Sequence, residues 1–256
     1  MTIGLSVTDR ALALERCRAA GLEAQRLPRH LAMIMDGNGR WAKGKGWERT
    51  RGHRKGADAV RTVTTECVRL GIERLTLYAF SSENWSRPAH EVAFLMSLLK
   101  DFLRQELPIL RENGVRLAAI GRLDRLPADV RQILNDTIAA TAGHTNMVLC
   151  LALSYGGRDE LADACKAIAA AVQAGRINVA AIDAATVAAH LYAPEASDVD
   201  LVVRTASEQR LSNFLPWQTT YAEYVSLPVL WPDMGVTDLH VALKEFQNRE
   251  RRFGAV

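Results

Sequence analysis

The chain has 256 residues, 48% of them hydrophobic and 24% charged, which is enough for one large domain with a full core. A formal charge of +3 is too small to mark a nucleic-acid binder, which needs basic residues gathered along one face, and no run approaches the roughly 20 apolar residues of a membrane span. The four cysteines (Cys17, Cys67, Cys150 and Cys165) share no two-residue spacing and read as free thiols, so a cytoplasmic chain with at most peripheral membrane contact is expected.

In chain order, residues 1–29 read as a helical extension, with charges at Asp9, Arg10, Glu15, Arg16, Arg18, Glu23 and Arg26 that interrupt any signal-peptide core. A catalytic domain is expected over 30–256. Residues 31–35 are a short apolar run of the kind buried in a parallel sheet. A basic stretch follows, with Arg40, Lys43, Lys45, Arg49, Arg51, Arg54 and Lys55 against one acid, Glu48; Gly44, Gly46 and Gly52 make it read as turn-rich. Helical spacing then covers 57–70, ending at Gly71, a good C-terminal cap. The next strand is 75–80. Helix 92–110 is apolar on more than one side through Val92, Phe94, Leu95, Leu98, Leu99, Phe102 and Leu103. Strands at 115–120, 147–153 and 201–203 alternate with helices at 127–142, 159–174, 183–191 and 237–249. The alternation predicts a single α/β domain with a mostly parallel sheet of about six strands flanked by helices.

In such sheets ligands sit at the carboxyl ends of strands, and four polar segments follow strands here: 36–41, 81–87, 155–158 and 204–212. In the first, Gly37 and Gly39 let the backbone approach a bound anion at a helix start. Asp36 sits in the middle of this cradle, where it either caps the helix or holds a cation that bridges it to a phosphate. Arg40, Arg49 and His53 could close around phosphates, with guanidinium groups binding oxygens in pairs, while Lys43, Lys45, Arg54 and Lys55 read as solvated charges. Ser81, Asn84 and Arg87 supply polar groups around Trp85, which can wall an apolar substrate; Ser82 and Ser86 read as turn formers. Arg204, Arg210 and Ser212 form a second anion clamp, so two phosphorylated substrates are expected. Glu223 lies beyond it, either as a second carboxylate for metal or in a salt bridge to an arginine.

The motifs His30-Leu31-Ala32-Met33-Ile34-Met35-Asp36-Gly37-Asn38-Gly39-Arg40-Trp41-Ala42, Gly52-His53, Tyr78-Ala79-Phe80-Ser81-Ser82-Glu83-Asn84-Trp85-Ser86-Arg87-Pro88, Tyr155-Gly156-Gly157-Arg158, Arg204-Thr205, Arg210-Leu211-Ser212-Asn213-Phe214 and Trp231-Pro232 occur in this order. Together they resemble the cis-prenyltransferases, the family of bacterial undecaprenyl diphosphate synthase, from about residue 30 to 254. The resemblance implies that an allylic diphosphate, such as farnesyl diphosphate, loses its pyrophosphate and isopentenyl diphosphate adds repeatedly with cis geometry. It implies that Asp36 and Asn84 are catalytic and that Mg²⁺ is held by Asp36 with Glu223. The allylic diphosphate would be bound by Gly37, Asn38, Gly39, Arg40, Trp41, Arg49, His53, Ser81, Glu83, Trp85 and Arg87. Isopentenyl diphosphate would be bound by Arg204, Arg210 and Ser212. Helix 92–110 would line an apolar tunnel for the growing chain, and Arg252-Phe253-Gly254 would cross to the partner's active site in a homodimer.

Two departures stand out. Family members commonly have two glycines where this chain has Ala206 and Ser207, so a glycine-type backbone is either absent or strained here. Leu153 stands where small residues are frequent and is expected to narrow the tunnel, favouring a shorter product. The alternative of a non-catalytic relative is disfavoured by the retained Asp36, Arg40, Asn84, Arg204 and Arg210. A trans-prenyltransferase is disfavoured by the lack of an aspartate-rich DDxxD run. No P-loop, dinucleotide fingerprint or nucleophile elbow points elsewhere.

Overall fold

Side chains alternate across a strand, so a strand buried on both faces must be apolar throughout. β1 (His30–Ile34) meets that demand with five buried residues: Leu31 and Met33 enter one core, Ala32 and Ile34 the other. β4 (Met147–Tyr155) is buried along all nine. With β2 (Arg74–Ser81), β3 (Val115–Ile120), β5 (Leu201–Arg204) and β6 (Glu223–Ser226) they form a six-stranded sheet of order β3-β4-β2-β1-β5-β6, with every pair parallel. This is the expected architecture. The computed structural model describes residues 7–196 and 198–250; the Arg252-Phe253-Gly254 tail lies outside the described residues. No helix among them is long and apolar enough to cross a membrane.

The helices are α1 (Val7–Ala19), α2 (Asn38–Gly44), α3 (Arg49–Leu70), α4 (Ala89–Glu112), α5 (Ala128–Thr141), α6 (Gly157–Gln173), α7 (Ala184–Ala188) and α8 (Val236–Gln247). α1 packs on α3, and Cys17 and Leu22 join the same core as Leu31 and Val63, so this first segment is continuous with the main body. α3 and α4 each lead from the carboxyl end of one strand to the start of the next, so both run antiparallel to the sheet. Chain order places β2 on one side of β1 and β5 on the other, which makes the crevice above β1 a switch point where ligands bind in open α/β sheets.

Two local expectations are corrected. The segment between Arg40 and Lys55 is mostly helical, and α3 begins at Arg49 rather than at 57. Its glycines serve close packing: a Cβ on Gly52 would lie 2.0 Å from the Asn38 carbonyl oxygen, and one on Gly56 would lie 2.9 Å from Trp231 Cδ1. Only Gly46, at φ 69°, is a turn glycine in the left-handed region. β6 had no clear sequence signal, because only Val225 of its four residues is fully buried.

Candidate active site

β1 delivers the chain to Asp36, and Gly37 turns it into α2 with φ 101°, where a Cβ would lie 2.8 Å from Leu230 Cδ2. The first N–H groups of α2 have no carbonyl within the helix to bond. Asp36 does not cap it. Its Oδ1 accepts the Gly37 N–H at 2.6 Å and its Oδ2 accepts Arg204 Nη2 at 2.9 Å, with Arg40 Nη2 at 3.5 Å from Oδ1. Its backbone is held from both sides by Thr205, whose Oγ1 accepts the Asp36 N–H at 2.9 Å and donates to the Asp36 carbonyl at 2.7 Å. Burial pushes the Asp36 carboxyl up, but Arg204, the Gly37 N–H and Arg40 outweigh it and hold the group below the usual carboxylate range.

The two anion clamps are one continuous surface. Arg204 ends β5 at 4% exposure, and besides Asp36 it donates to Ser212 Oγ at 2.7 Å and to the Arg210 carbonyl. Arg40 bonds Glu208 Oε1 at 3.1 Å, and Arg210 pairs with the other oxygen of the same carboxylate. Arg210 itself is exposed, on a loop that Asn213 ties to Arg158 and Glu83. That explains the Gly156-Gly157 pair, since a Cβ on Gly157 would lie 2.0 Å from Pro216 Cδ.

On the α3–α4 side, Glu91 gathers three groups expected for the first diphosphate: Arg87 Nη1 at 3.0 Å, Arg49 Nε at 3.3 Å and His53 Nε2 at 4.0 Å. Burial, then Arg87 and Arg49, lower the His53 pKa to about 4, against the opposing pull of Glu91, so the ring is neutral at physiological pH. An unfolded histidine takes up its proton below about 6.5, and the folded one does so only near 4. Stability is therefore expected to be unaffected above pH 6.5 and to fall by about 3 kcal/mol as pH drops through that window. Urea unfolding of His53→Asn across pH 4–7 checks this; a variant with the same acid loss as the parent would reject it.

Ser81 and Asn84 face the crevice and hold each other, with the Ser81 N–H donating to Asn84 Oδ1 at 3.2 Å. Trp85 donates its indole N–H to Ser154 Oγ at 3.0 Å and packs edge-on against Phe80, so it stands behind Phe80, which lines the crevice, rather than in the wall itself. Glu83 bonds Asn213 and braces the loop. Trp41 lies away from the crevice, donating to Asp233 Oδ1 at 2.7 Å and packing against Trp47. Asn38 Oδ1, His53 Nε2 and Arg204 Nε are buried without a hydrogen-bond partner, an unusual concentration beside one crevice. Below them lies a cavity of about 300 Å³, walled by Val60, Leu95, Leu99, Phe102, Leu151 and Leu153 among others.

The departure at Ala206 and Ser207 is resolved in favour of strain. Both keep the left-handed backbone, with φ 70° and 58°, held by bonds from Ala206 N to Val229 O and from Ser207 N to Leu227 O. That conformation costs a residue with a Cβ roughly 1–2 kcal/mol. Ala206→Gly with Ser207→Gly is expected to raise stability by about 1 kcal/mol, after allowing for the extra chain entropy of glycine; unchanged or lower thermal stability would contradict it.

Comparison with known proteins places this geometry. Residues 34–254 match the prenyltransferase family model described as "Putative undecaprenyl diphosphate synthase". The isoprenyl transferase of Zymomonas mobilis is 49% identical over 230 residues, covering 90% of this chain and 93% of the relative. That of Heliobacterium mobile is 45% identical over 242 residues, covering 94% and 93%. The chain belongs to this prenyltransferase family. Among solved structures, lavandulyl diphosphate synthase from Lavandula x intermedia, in complex with dimethylallyl diphosphate, superposes with TM-score 0.87 at 36% identity, covering 90% of this chain and 99% of that one. A probable undecaprenyl diphosphate synthase from Campylobacter jejuni gives 0.74 at 34% identity, covering 89% and 98%.

In this prenyltransferase the question of Mg²⁺ turns on Asp36. Among the described residues no three His, Cys, Asp or Glu side chains converge as a metal cage. An ionised carboxylate in a crevice beside Arg204 and Arg40 nonetheless suits Mg²⁺, which commonly takes one or two carboxylates and completes its shell with substrate phosphate oxygens and water. Glu223 is not brought to it. It opens β6 at the amino end, three residues below Ser226 and so about 10 Å down the strand, and pairs with Arg249 Nη1 at 2.8 Å. Within one chain the salt-bridge alternative for Glu223 therefore holds. Sequence reasoning assigned no role to Thr205, Glu91 or Glu208. Glu91 was within reach, because it stands four residues after Arg87, in the first turn of α4, where a carboxylate can reach back to a residue before the helix.

Proposed function

We propose that the protein condenses isopentenyl diphosphate successively onto an allylic diphosphate, with farnesyl diphosphate as primer, making a long-chain cis-polyprenyl diphosphate such as undecaprenyl diphosphate, the cell-wall lipid carrier. The observation that carries it is the direct bond between Asp36 and Arg204 at the mouth of an apolar cavity, which sets two anion clamps side by side above room for a hydrocarbon tail. The first diphosphate would lie against the α2 N–H groups, Arg40, Arg49, His53 and Arg87, and the second against Arg204, Arg210 and Ser212. Mg²⁺ held by Asp36 would neutralise charge on the leaving diphosphate. Arg40 and Arg49 would share that charge as the allylic carbon–oxygen bond breaks, since groups aimed at developing charge stabilise the transition state most. Phe80, backed by Trp85, and Leu153 would exclude water from the allylic cation, and Ser81 with Asn84 would orient the diphosphate that accepts the proton lost in condensation. A homodimer completed by the 252–254 tail, and peripheral membrane contact for product release, belong to the same proposal.

A shorter product is the second reading, favoured by Leu153, which is buried in the cavity wall. The test is to incubate the protein with labelled isopentenyl diphosphate, Mg²⁺ and primers of increasing length, then size the products for the parent and Leu153→Ala. Long products are expected, longer still in the variant. No incorporation with any primer would defeat the catalytic reading, and an identical product ladder in the variant would remove Leu153 from length control.

A further inference from the structure

β2 and β4 fall out of step beside the crevice and then recover. They pair in register as far as Tyr78 against Ala152, after which Phe80 faces Leu153 and Ser81 faces Tyr155. Ala79 is therefore one extra residue on β2 and Ser154 one extra on β4, two bulges that cancel. Their effect shows in the core. Leu149, Leu151 and Leu153 enter the cluster on the cavity side, whereas Tyr155, which simple alternation would place with them, joins the opposite one. Ser154 takes up that reversal. It is fully buried and left-handed, at φ 49°, a conformation that glycine adopts without a Cβ penalty. The end of β3 makes room for it: a Cβ on Gly121 would lie 2.1 Å from the Leu153 carbonyl oxygen, and the Arg122 N–H bonds the Ser154 carbonyl at 3.3 Å. Serine brings to this strained position one group that glycine lacks, the hydroxyl, and its Oγ accepts the Trp85 indole N–H.

We infer that Ser154 is a positioning residue for the reaction: the bulge holds its hydroxyl where it anchors the 3₁₀ turn Ser82–Ser86 through Trp85, and so aims Ser81 and Asn84 into the crevice. The turn is stiff within itself. The Ser81 N–H bonds Asn84 Oδ1 at 3.2 Å, the Arg87 N–H bonds the Asn84 carbonyl at 3.2 Å, and Ser86 Oγ donates to the Glu83 carbonyl at 2.7 Å. An anchor on Trp85 therefore carries both polar groups with it. Phe80, edge-on at 4.9 Å, and the Arg125 guanidinium at 5.3 Å confine the indole ring, but the directional bond to Ser154 sets where along the sheet it comes to rest. The inference rests on the reading of Ser81 and Asn84 as groups that orient a diphosphate, for which a misplacement of about 1 Å can cost on the order of 10²-fold in rate.

The test is the single-turnover rate of the first condensation, with Mg²⁺, isopentenyl diphosphate and the primer the parent uses best, set beside thermal melting. The full-length parent is compared with Ser154→Gly, Ser154→Ala, Trp85→Phe and the combination of Ser154→Gly with Trp85→Phe. Both Ser154 variants lose the hydroxyl, but only alanine keeps the left-handed strain. Both are expected to lower the saturated rate on the order of tenfold or more, with the half-saturating concentrations of both substrates little changed. Their melting temperatures should part, with glycine within about 4 °C of the parent and alanine lower. Trp85→Phe should lower the rate as far, and the combination no further than the worse single change, since one bond is being removed twice. A glycine variant as fast as the parent, a rate that follows melting temperature across the set, a loss carried by half-saturation alone, or losses that multiply in the combination would each overturn the positioning role. Should the alanine variant fail to fold, the glycine and phenylalanine variants decide by the same criteria. A parent that incorporates no isopentenyl diphosphate would defeat the reading of the site, and the inference with it, which is distinct from an active parent indifferent to these changes.

Discussion

Asp36→Asn is expected to lower turnover on the order of 10³-fold with the fold retained, the scale seen when a group aimed at transition-state charge is removed. The change is nearly isosteric, and Thr205 still grips the backbone of residue 36 from both sides. Arg204 keeps Ser212 Oγ and the Arg210 carbonyl as partners, so the β5 end is not left with a wholly unpaired charge. What disappears is the carboxylate that lines the crevice beside Arg204 and is proposed to hold Mg²⁺. Steady-state kinetics at several Mg²⁺ concentrations, with circular dichroism as the folding control, separate the cases. Activity within tenfold of the parent would remove Asp36 from the metal role.

Arg204→Met should act on two observables together. The specificity constant for isopentenyl diphosphate is expected to fall about 10²-fold, in keeping with the 2–5 kcal/mol cost of truncating one member of a buried charged pair. The acid limb of the pH–rate profile should also move to higher pH. In the parent, Arg204, the Gly37 N–H and Arg40 hold the Asp36 carboxyl low against the effect of its burial. Without Arg204 the balance tips toward burial, the group protonates at higher pH, and activity that needs the carboxylate is lost earlier as pH falls. A lower specificity constant with an unmoved acid limb would mean that Arg204 serves the second substrate alone.

The sheet was legible because its central strands are buried on both faces and so are written as unbroken apolar runs. β6 was not, because four residues on an edge strand carry too little alternation to be seen. The basic segment after Arg40 was misread as turns for a related reason. Glycine is usually punctuation, but Gly52 and Gly56 lie inside α3 because the Asn38 carbonyl and Trp231 leave no space for a Cβ, and a contact between helices leaves no local trace. At the site, the basic groups and Asp36 were visible as residue types at strand ends, while the continuity of the two clamps through Arg204 depends on β5 pairing with β1 across 168 residues of chain. Glu223 shows the converse: two readings, metal ligand and salt bridge, stood open in the sequence, and strand register carries it below the rim to Arg249 within one chain.

Glu91 and Glu208 have a consequence for which anions this protein can hold. Each is a tethered carboxylate already engaged with the cations that would receive a phosphate, and tethering gives it a local concentration in at least the millimolar range. A free monophosphate meets this internal rival on poor terms, since it offers little more charge at each contact. A diphosphate that brings its own divalent ion and an apolar tail can displace both carboxylates at once. In the proposed reaction, once the tail had moved on and bare pyrophosphate remained, the same carboxylates would compete for their arginines again and hasten its departure, so selectivity at entry and clearance after reaction would come from one arrangement.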